Sequence, residues 1–246
     1  MTSERWLFDE AAHAGPEHLD PTSVAGYDAK AGVDPSEDIA LLQRLGLDRS
    51  SVLIDMGAGT GTFSLAVAPL CRRVVAVDIA PAMVERMASR RRELGLDNVE
   101  ISQAGFLTYE HTGELADFVY CRNALHRLPD FWKALALVRM AAMLRPGAFL
   151  RLRDLVYQFD PLDARTAIDE WLHGATDRPE EGWTRSELEA HISSGFSTFG
   201  WLLEPMLERA GSEIQESSHA VGIYARFVCT TSSERATAGE SSSATH

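Results

Sequence analysis

The chain has 246 residues, 45% of them hydrophobic, enough to bury a sizeable core in one large domain or one domain with a lid. Lys and Arg number 23 against 36 Asp and Glu, and the formal net charge of −13 argues against a nucleic-acid substrate, whose phosphates it repels. The N-terminal "MTSERWLFDEAAHAG" has no basic segment followed by an apolar one, and no apolar run reaches membrane-spanning length, so the expectation is a cytoplasmic protein without membrane contact.

In chain order, residues 1–33 read as an N-terminal cap segment. "VDPSEDIALLQRLGLD" reads as a helix entered by Asp34, with Pro35 at its first position, Glu37 on the capping side and Gly46 as its stop. Val52, Leu53 and Ile54 are consecutive apolar residues, as in a strand buried on both faces of a parallel sheet, and Asp55 closes it. Gly57, Gly59 and Gly61 then alternate through a turn into a helix from about Thr62, and "RRVVAVDIAP" supplies a second buried strand ending in Asp78. Pro81 opens a helix with Met83, Val84, Met87 and Ala88 on one face; its "ERMASRRRELG" carries a basic patch that reads as solvated surface. "VEIS" and "DFVYC" are strands three and four, "FWKALALVRMAAML" a helix, "RPG" a turn and "AFLRLRDLV" strand five. Alternation of this kind predicts an α/β fold with a doubly wound, mainly parallel sheet.

After Val156 the rhythm changes. "DARTAIDEWLHGA" is amphipathic and "TRSELEAHI" begins with a Thr184 to Glu187 capping box, so residues 157–201 form a helical lid insertion. "WLLEPMLERAG" restores a helix, and "EIQESSHAVGIYARFVCT" reads as an antiparallel hairpin at a sheet edge. Residues 231–246 are poor in apolar side chains and read as a disordered tail. Cys71, Cys121 and Cys229 lack metal-type spacing and read as core thiols, and His173 and His191 also lack ligand spacing, so no metal is expected.

A glycine turn after the first strand aims backbone N–H groups and a helix N-terminus at a ligand. Asp78, about 20 residues on at the tip of the second strand, stands where a ribose diol is commonly held, so the ligand is expected to contain a nucleoside. The dinucleotide fingerprint is G-x-G-x-x-G, whereas this turn reads Gly57-Ala58-Gly59-Thr60-Gly61. It also follows Asp55, a carboxylate that suits an ammonium group and repels a pyrophosphate.

"LIDMGAGTG" and "VVAVDIAPAMV" resemble the first two motifs of the class I S-adenosylmethionine-dependent methyltransferases, "ADFVYCRNALHRLPD" the fourth-strand motif of their small-molecule members, and "MLRPGAFLRLRD" the turn into strand five. "QAGFLTYEH" and "GWTRSELEAH" resemble an uncharacterised bacterial group of that family. The resemblance runs roughly from Tyr27 to Thr230, with the domain placed at 34–230. It implies a seven-stranded sheet ending in an antiparallel hairpin, S-adenosyl-L-methionine as cofactor, and a small-molecule acceptor methylated on O, N or C. It further implies Asp55, Gly57, Ala58, Gly59 and Gly61 along the methionine part of the cofactor, Asp78 on the ribose, and Ile79 and Phe106 against the adenine. Met83, Arg122 and Asn123 are further cofactor contacts under it. One departure stands out: the family often has an aspartate after strand three that accepts from the adenine amino group, and here Ala104, Gly105 and Phe106 offer only backbone and apolar surface.

His126 is the best-placed general base, against a capping or packing role; Tyr27 either closes over the cofactor or packs at the surface. Arg153 and Asp154 end strand five where open α/β sheets place ligands, and either bind the acceptor or form a structural salt bridge. Trp171 and Trp201 of the lid are assigned to the acceptor pocket, most other lid aromatics to the lid's own core. Competing readings are a nicotinamide-dependent oxidoreductase, disfavoured by the glycine spacing and Asp55, and a non-catalytic S-adenosylmethionine-binding protein. A homodimer is left open.

Overall fold

The structure is a computed structural model describing residues 6–231. Helices α1 (Pro16–Leu19), α2 (Pro21–Ala31) and α3 (Ser36–Arg44) precede strand β1 (Val52–Met56), and α4 (Thr62–Val67), β2 (Arg73–Asp78), α5 (Pro81–Glu93), β3 (Val99–Gln103) and β4 (Ala116–Arg122) follow. Then come α6 (Asp130–Ala142), β5 (Leu144–Tyr157), α7 (Ala164–Leu172), α8 (Arg185–Ser194), β6 (Thr198–Phe199), α9 (Gly200–Arg209), β7 (Ser212–Ala220) and β8 (Tyr224–Thr231). The sheet runs β3-β2-β1-β4-β5-β8-β7 with β6 paired off β5. It is parallel through β5 and antiparallel from β8 onward.

Strand β1 is buried along its whole length because helices cover both faces of the sheet. Side chains alternate across a strand, so Val52, Ile54 and Met56 enter a core shared with Leu137 and Met140 of α6 and Leu203 and Leu207 of α9. Leu53 enters the other core, with Leu42 of α3, Phe63 of α4 and Met87 of α5. All three cysteines are free and buried. The strand order reverses at β1 and β4, whose carboxyl ends open the crevice in which such folds place ligands.

Three local readings change. "RPG" lies inside β5 rather than before it: the pairing passes from Ala116 opposite Leu144 to Phe118 opposite Phe149, and the bulge takes up Arg145, Pro146 and Gly147. Helix α3 is entered at Pro35, one residue later than read, while the Asp34 carboxylate accepts from the Ser36 N–H at 2.9 Å. The tail reading falls, from Ser232 on, outside the described residues. Among the described residues no helix is long and apolar enough to cross a membrane, and no group of three His, Cys, Asp or Glu side chains could hold a metal ion.

Candidate functional site

The turn from β1 into α4 gives Gly57 and Gly59 φ of 77° and 57°, a region side chains rarely adopt. Their surroundings differ. A Cβ on Gly57 would lie 2.3 Å from that of Ala124, whereas one on Gly59 meets nothing within 4 Å and would project into open space. Gly57 is thus set by packing and Gly59 by the space it leaves. Asp78 ties the two strand tips together, accepting from the Gly59 N–H at 2.8 Å and from the Ala80 N–H at 2.9 Å.

A cleft of about 710 Å³ opens over this turn, bounded by Asp78, Ile79 and Met83 on one side and by Ala104, Gly105 and Phe106 on the other. A second lobe of about 640 Å³ runs past Asp55, Ala58, Thr60, Tyr120 and Trp183. Tyr27, Gly57, Gly59, Arg122 and Asn123 line both, so they form the waist of one elongated groove. Asn123 holds φ of 50°, unusual outside glycine and best tolerated by Asn, and its N–H donates to the Arg153 carbonyl at 2.8 Å.

The groove is charged at both ends. Burial raises the Asp78 carboxyl above the ordinary range against the pull of its backbone N–H donors. At the other end Asp55 is 2% exposed and accepts from the Ser64 hydroxyl at 2.5 Å; burial, with the charge of Asp78 adding, pushes its pKa up to about 7. Opposite stands Arg122, whose Nε and Nη1 are buried and make no hydrogen bond among the described residues. Its nearest carboxylate, Asp38, lies 3.6 Å away and is already engaged by both Nε and Nη2 of Arg151 and by the Tyr120 hydroxyl.

The N-terminal helices close the groove from above. Asp28 of α2 accepts from Arg90 of α5 at 2.8 Å and from the hydroxyls of Thr60 in the glycine turn and Thr62 at the start of α4, which seats Tyr27 over the waist. The lid docks on the same helix: Lys30 pairs with Glu187 and lies 4.9 Å from the Trp183 ring centroid, and Trp183 meets Tyr27 edge-on. On its other flank the lid rests on His126, whose carbonyl accepts from the Phe196 N–H at 2.8 Å.

His126 and Asp154 form a buried pair. Nδ1 of His126 lies 2.5 Å from Asp154 Oδ1, and the other carboxylate oxygen accepts from the His126 N–H at 3.0 Å. Although burial opposes the charge of Asp154, His126 and the hydrogen bonds it accepts hold its carboxyl below the ordinary value. Nε2 of His126 is buried and without a partner among the described residues, as is Nε2 of His191 on α8, and the two rings stand 4.6 Å apart. Burial, the largest cause, lowers His191 to about 3, which keeps it neutral at working pH.

Six sequence-selected residues do not line the groove. Gly61 is buried against Met87, which a Cβ there would meet at 2.6 Å, so it is a packing glycine. Trp201 is 61% exposed and stacks on Phe199, outside the lid's inner face. Trp171 faces His191 and Tyr224, Arg153 and Asp154 lie behind the wall, and His126 is 3% exposed. Asp28, Trp183 and Glu10, absent from that selection, bound or brace the site; Trp183 is one of the lid aromatics assigned above to the lid's own core, whereas Asp28 and Glu10 have no local signal.

A doubly wound sheet with a glycine turn at one strand tip, an acid at the next and a groove along both is the arrangement in which open α/β proteins place their ligands. Residues 53–147 match the family model described as a methyltransferase domain. The uncharacterized methyltransferase YcgJ of Bacillus subtilis is 30% identical over 138 residues, 56% of this chain and 52% of that protein. Its crystal structure superposes with a TM-score of 0.58 at 19% identity, covering 75% of this chain and 73% of the other. The ubiquinone biosynthesis O-methyltransferase of Xanthomonas campestris is 35% identical over 106 residues, 42% of each chain. The N-methyltransferase NodS of Bradyrhizobium japonicum, in complex with S-adenosyl-L-homocysteine, superposes with a TM-score of 0.55 at 18% identity over 80% of this chain and 86% of its own. The chain spans about half the length of the curated relatives it matches. Residues 53–147 thus carry a methyltransferase domain, and the fold is the one these solved methyltransferase structures share.

Proposed function

We propose that the protein transfers a methyl group from S-adenosylmethionine to O, N or C of a small-molecule acceptor. One observation carries the cofactor assignment: the groove has a carboxylate suited to a diol at one end, Asp78, an acid at the other, Asp55, and at its waist a guanidinium with two N–H groups making no hydrogen bond among the described residues, Arg122, the last two suited to a zwitterionic amino acid. Gly59 leaves the space between them, so the residues present fit this cofactor. When bound, it supplies an electrophilic methyl group on a sulfonium centre.

The chain's part is alignment and proton handling. Tyr27, seated by Asp28, and Trp183, seated by Lys30, cover the waist and exclude water. His126 is the candidate base: Asp154 holds its Nδ1 side, leaving Nε2 to accept a proton from an acceptor hydroxyl or amine. Since Nε2 is buried beneath α8, the acceptor reaches it only as the lid moves. The net charge of −13 favours a small molecule over nucleic acid.

Calorimetry with S-adenosylmethionine, S-adenosylhomocysteine and NAD tests the first step, and release of S-adenosylhomocysteine with labelled methyl appearing on an acceptor tests the second. Binding of NAD without binding of S-adenosylmethionine refutes the cofactor assignment; cofactor binding with no transfer across a broad acceptor screen favours a binding protein.

A further inference from the structure

The first residues after β3, Ala104 to Tyr109, carry no acidic side chain, yet a carboxylate stands among them. Glu10, from the segment before α1, is 7% exposed, and its Oε1 and Oε2 accept from the N–H groups of Phe106 at 2.6 Å and Leu107 at 3.0 Å. A Cβ built on Gly105 would lie 2.3 Å from Glu10 Oε2, 2.4 Å from Cδ and 2.5 Å from Oε1. The carboxyl group therefore occupies the space in which a side chain at position 105 would begin. One carboxylate can stand there, supplied by the loop or by the N-terminal segment, but not both.

Glu10 also bounds the lobe that holds Asp78, Ile79, Met83 and Phe106, the end assigned to the nucleoside. A carboxylate has about four acceptor positions and the two backbone donors use two, so two remain. Among the described residues no cation makes an ion pair with them: Arg139, the charge that acts on Glu10, turns its Nε and Nη2 to the carbonyls of Phe106 and Tyr109. A buried acceptor with spare lone pairs beside an apolar slot selects a planar group that donates, and a 6-aminopurine does so where a 6-oxopurine presents an oxygen to the same charge.

On the cofactor reading above, we infer that Glu10 is the base-reading residue of this site, a carboxylate supplied by the N-terminal segment that selects the 6-amino over the 6-oxo purine. Base recognition and closure of residues 7–14 over the groove are then one event, because the same side chain makes both sets of contacts.

The test is calorimetric titration of the full chain with S-adenosylhomocysteine and its 6-oxo analogue, S-inosylhomocysteine, in the wild type, Glu10→Ala, Glu10→Gln and the double variant Glu10→Ala/Gly105→Asp. The wild type is expected to prefer the amino compound by about tenfold or more, the scale of one charged hydrogen bond. Glu10→Ala and Glu10→Gln should bring that ratio to within about threefold of unity. The double variant should restore it, since Gly105 is not in the left-handed region and an aspartate there regains the vacated space. A purely structural Glu10 would weaken both ligands equally and leave the ratio unchanged, which overturns the inference, as does a wild type that binds both equally. A wild type that binds neither refutes the cofactor reading instead. Should Glu10→Ala fold poorly, Glu10→Gln and the double variant still report the ratio.

Discussion

Removing the Asp78 carboxylate should damage fold and ligand affinity separately. Its oxygens accept from the N–H groups of Gly59 and Ala80 at 2.8 and 2.9 Å, so Asp78→Ala deletes two charge-assisted hydrogen bonds that hold the glycine turn against β2. Such bonds are each worth roughly 1.5–3 kcal/mol, but burial already works against the charged form, and a net loss of about 2 kcal/mol of folding stability follows. For a domain of this length that lowers Tm by roughly 4–8 °C. The ribose diol would donate two further bonds to the same oxygens, so Kd for S-adenosylhomocysteine should rise about a hundredfold. Calorimetric melting reads the first effect and titration of the folded variant at a temperature well below its Tm reads the second. A variant that melts earlier yet binds within about threefold of wild type would show that Asp78 only braces the turn, and that the diol is held elsewhere.

Asp55 gives a pH signature. With its pKa pushed up to about 7 from 3.8, the folded chain holds a proton that the unfolded chain has released; the stability it contributes is full below about pH 4 and is lost as pH rises through about 7. Denaturant melts should therefore show Asp55→Asn gaining on wild type between about pH 4 and 8, and parallel profiles would contradict this. Gly57→Ala should lower stability by about 1–3 kcal/mol through its clash with Ala124, whereas Gly59→Val, strained but unobstructed, should chiefly abolish S-adenosylhomocysteine binding; melting and titration of both variants separate the two roles. Asp154→Asn should leave cofactor affinity in place and lower kcat by about a hundredfold or more, and a wild-type rate would remove His126 from the chemistry. Trp183→Ala should raise the acceptor KM about tenfold, while Trp201→Ala, at an exposed site, should change neither KM nor cofactor affinity; steady-state kinetics decide both.

Much of the groove was legible along the chain. The apolar run before Asp55, the alternating glycines and the acid at the end of the next strand are local patterns, set by strand burial, backbone sterics and the spacing of a βαβ unit, and the folded chain brings Asp55, Gly57, Gly59 and Asp78 to one groove. The same logic over-reached at Gly61, since a glycine kept free for packing against Met87 looks in sequence like one kept free for a ligand.

What tertiary structure decided lies wherever a side chain's partner comes from a distant segment. Nothing near Glu10 shows that it will fill the gap beside Gly105, 95 positions on, nor near Asp28 that it will clasp Arg90 and carry Tyr27 over the waist. Trp183 and Trp201 each stand next to the start of a helix and look alike in sequence, yet docking through Lys30 and Glu187 turns Trp183 toward the groove and leaves Trp201 outside. Periodicity tells which face of an element is apolar, because that follows from backbone geometry alone. Which surface that face meets depends on contacts between segments remote in the chain, and those form only when the whole domain has closed around its core.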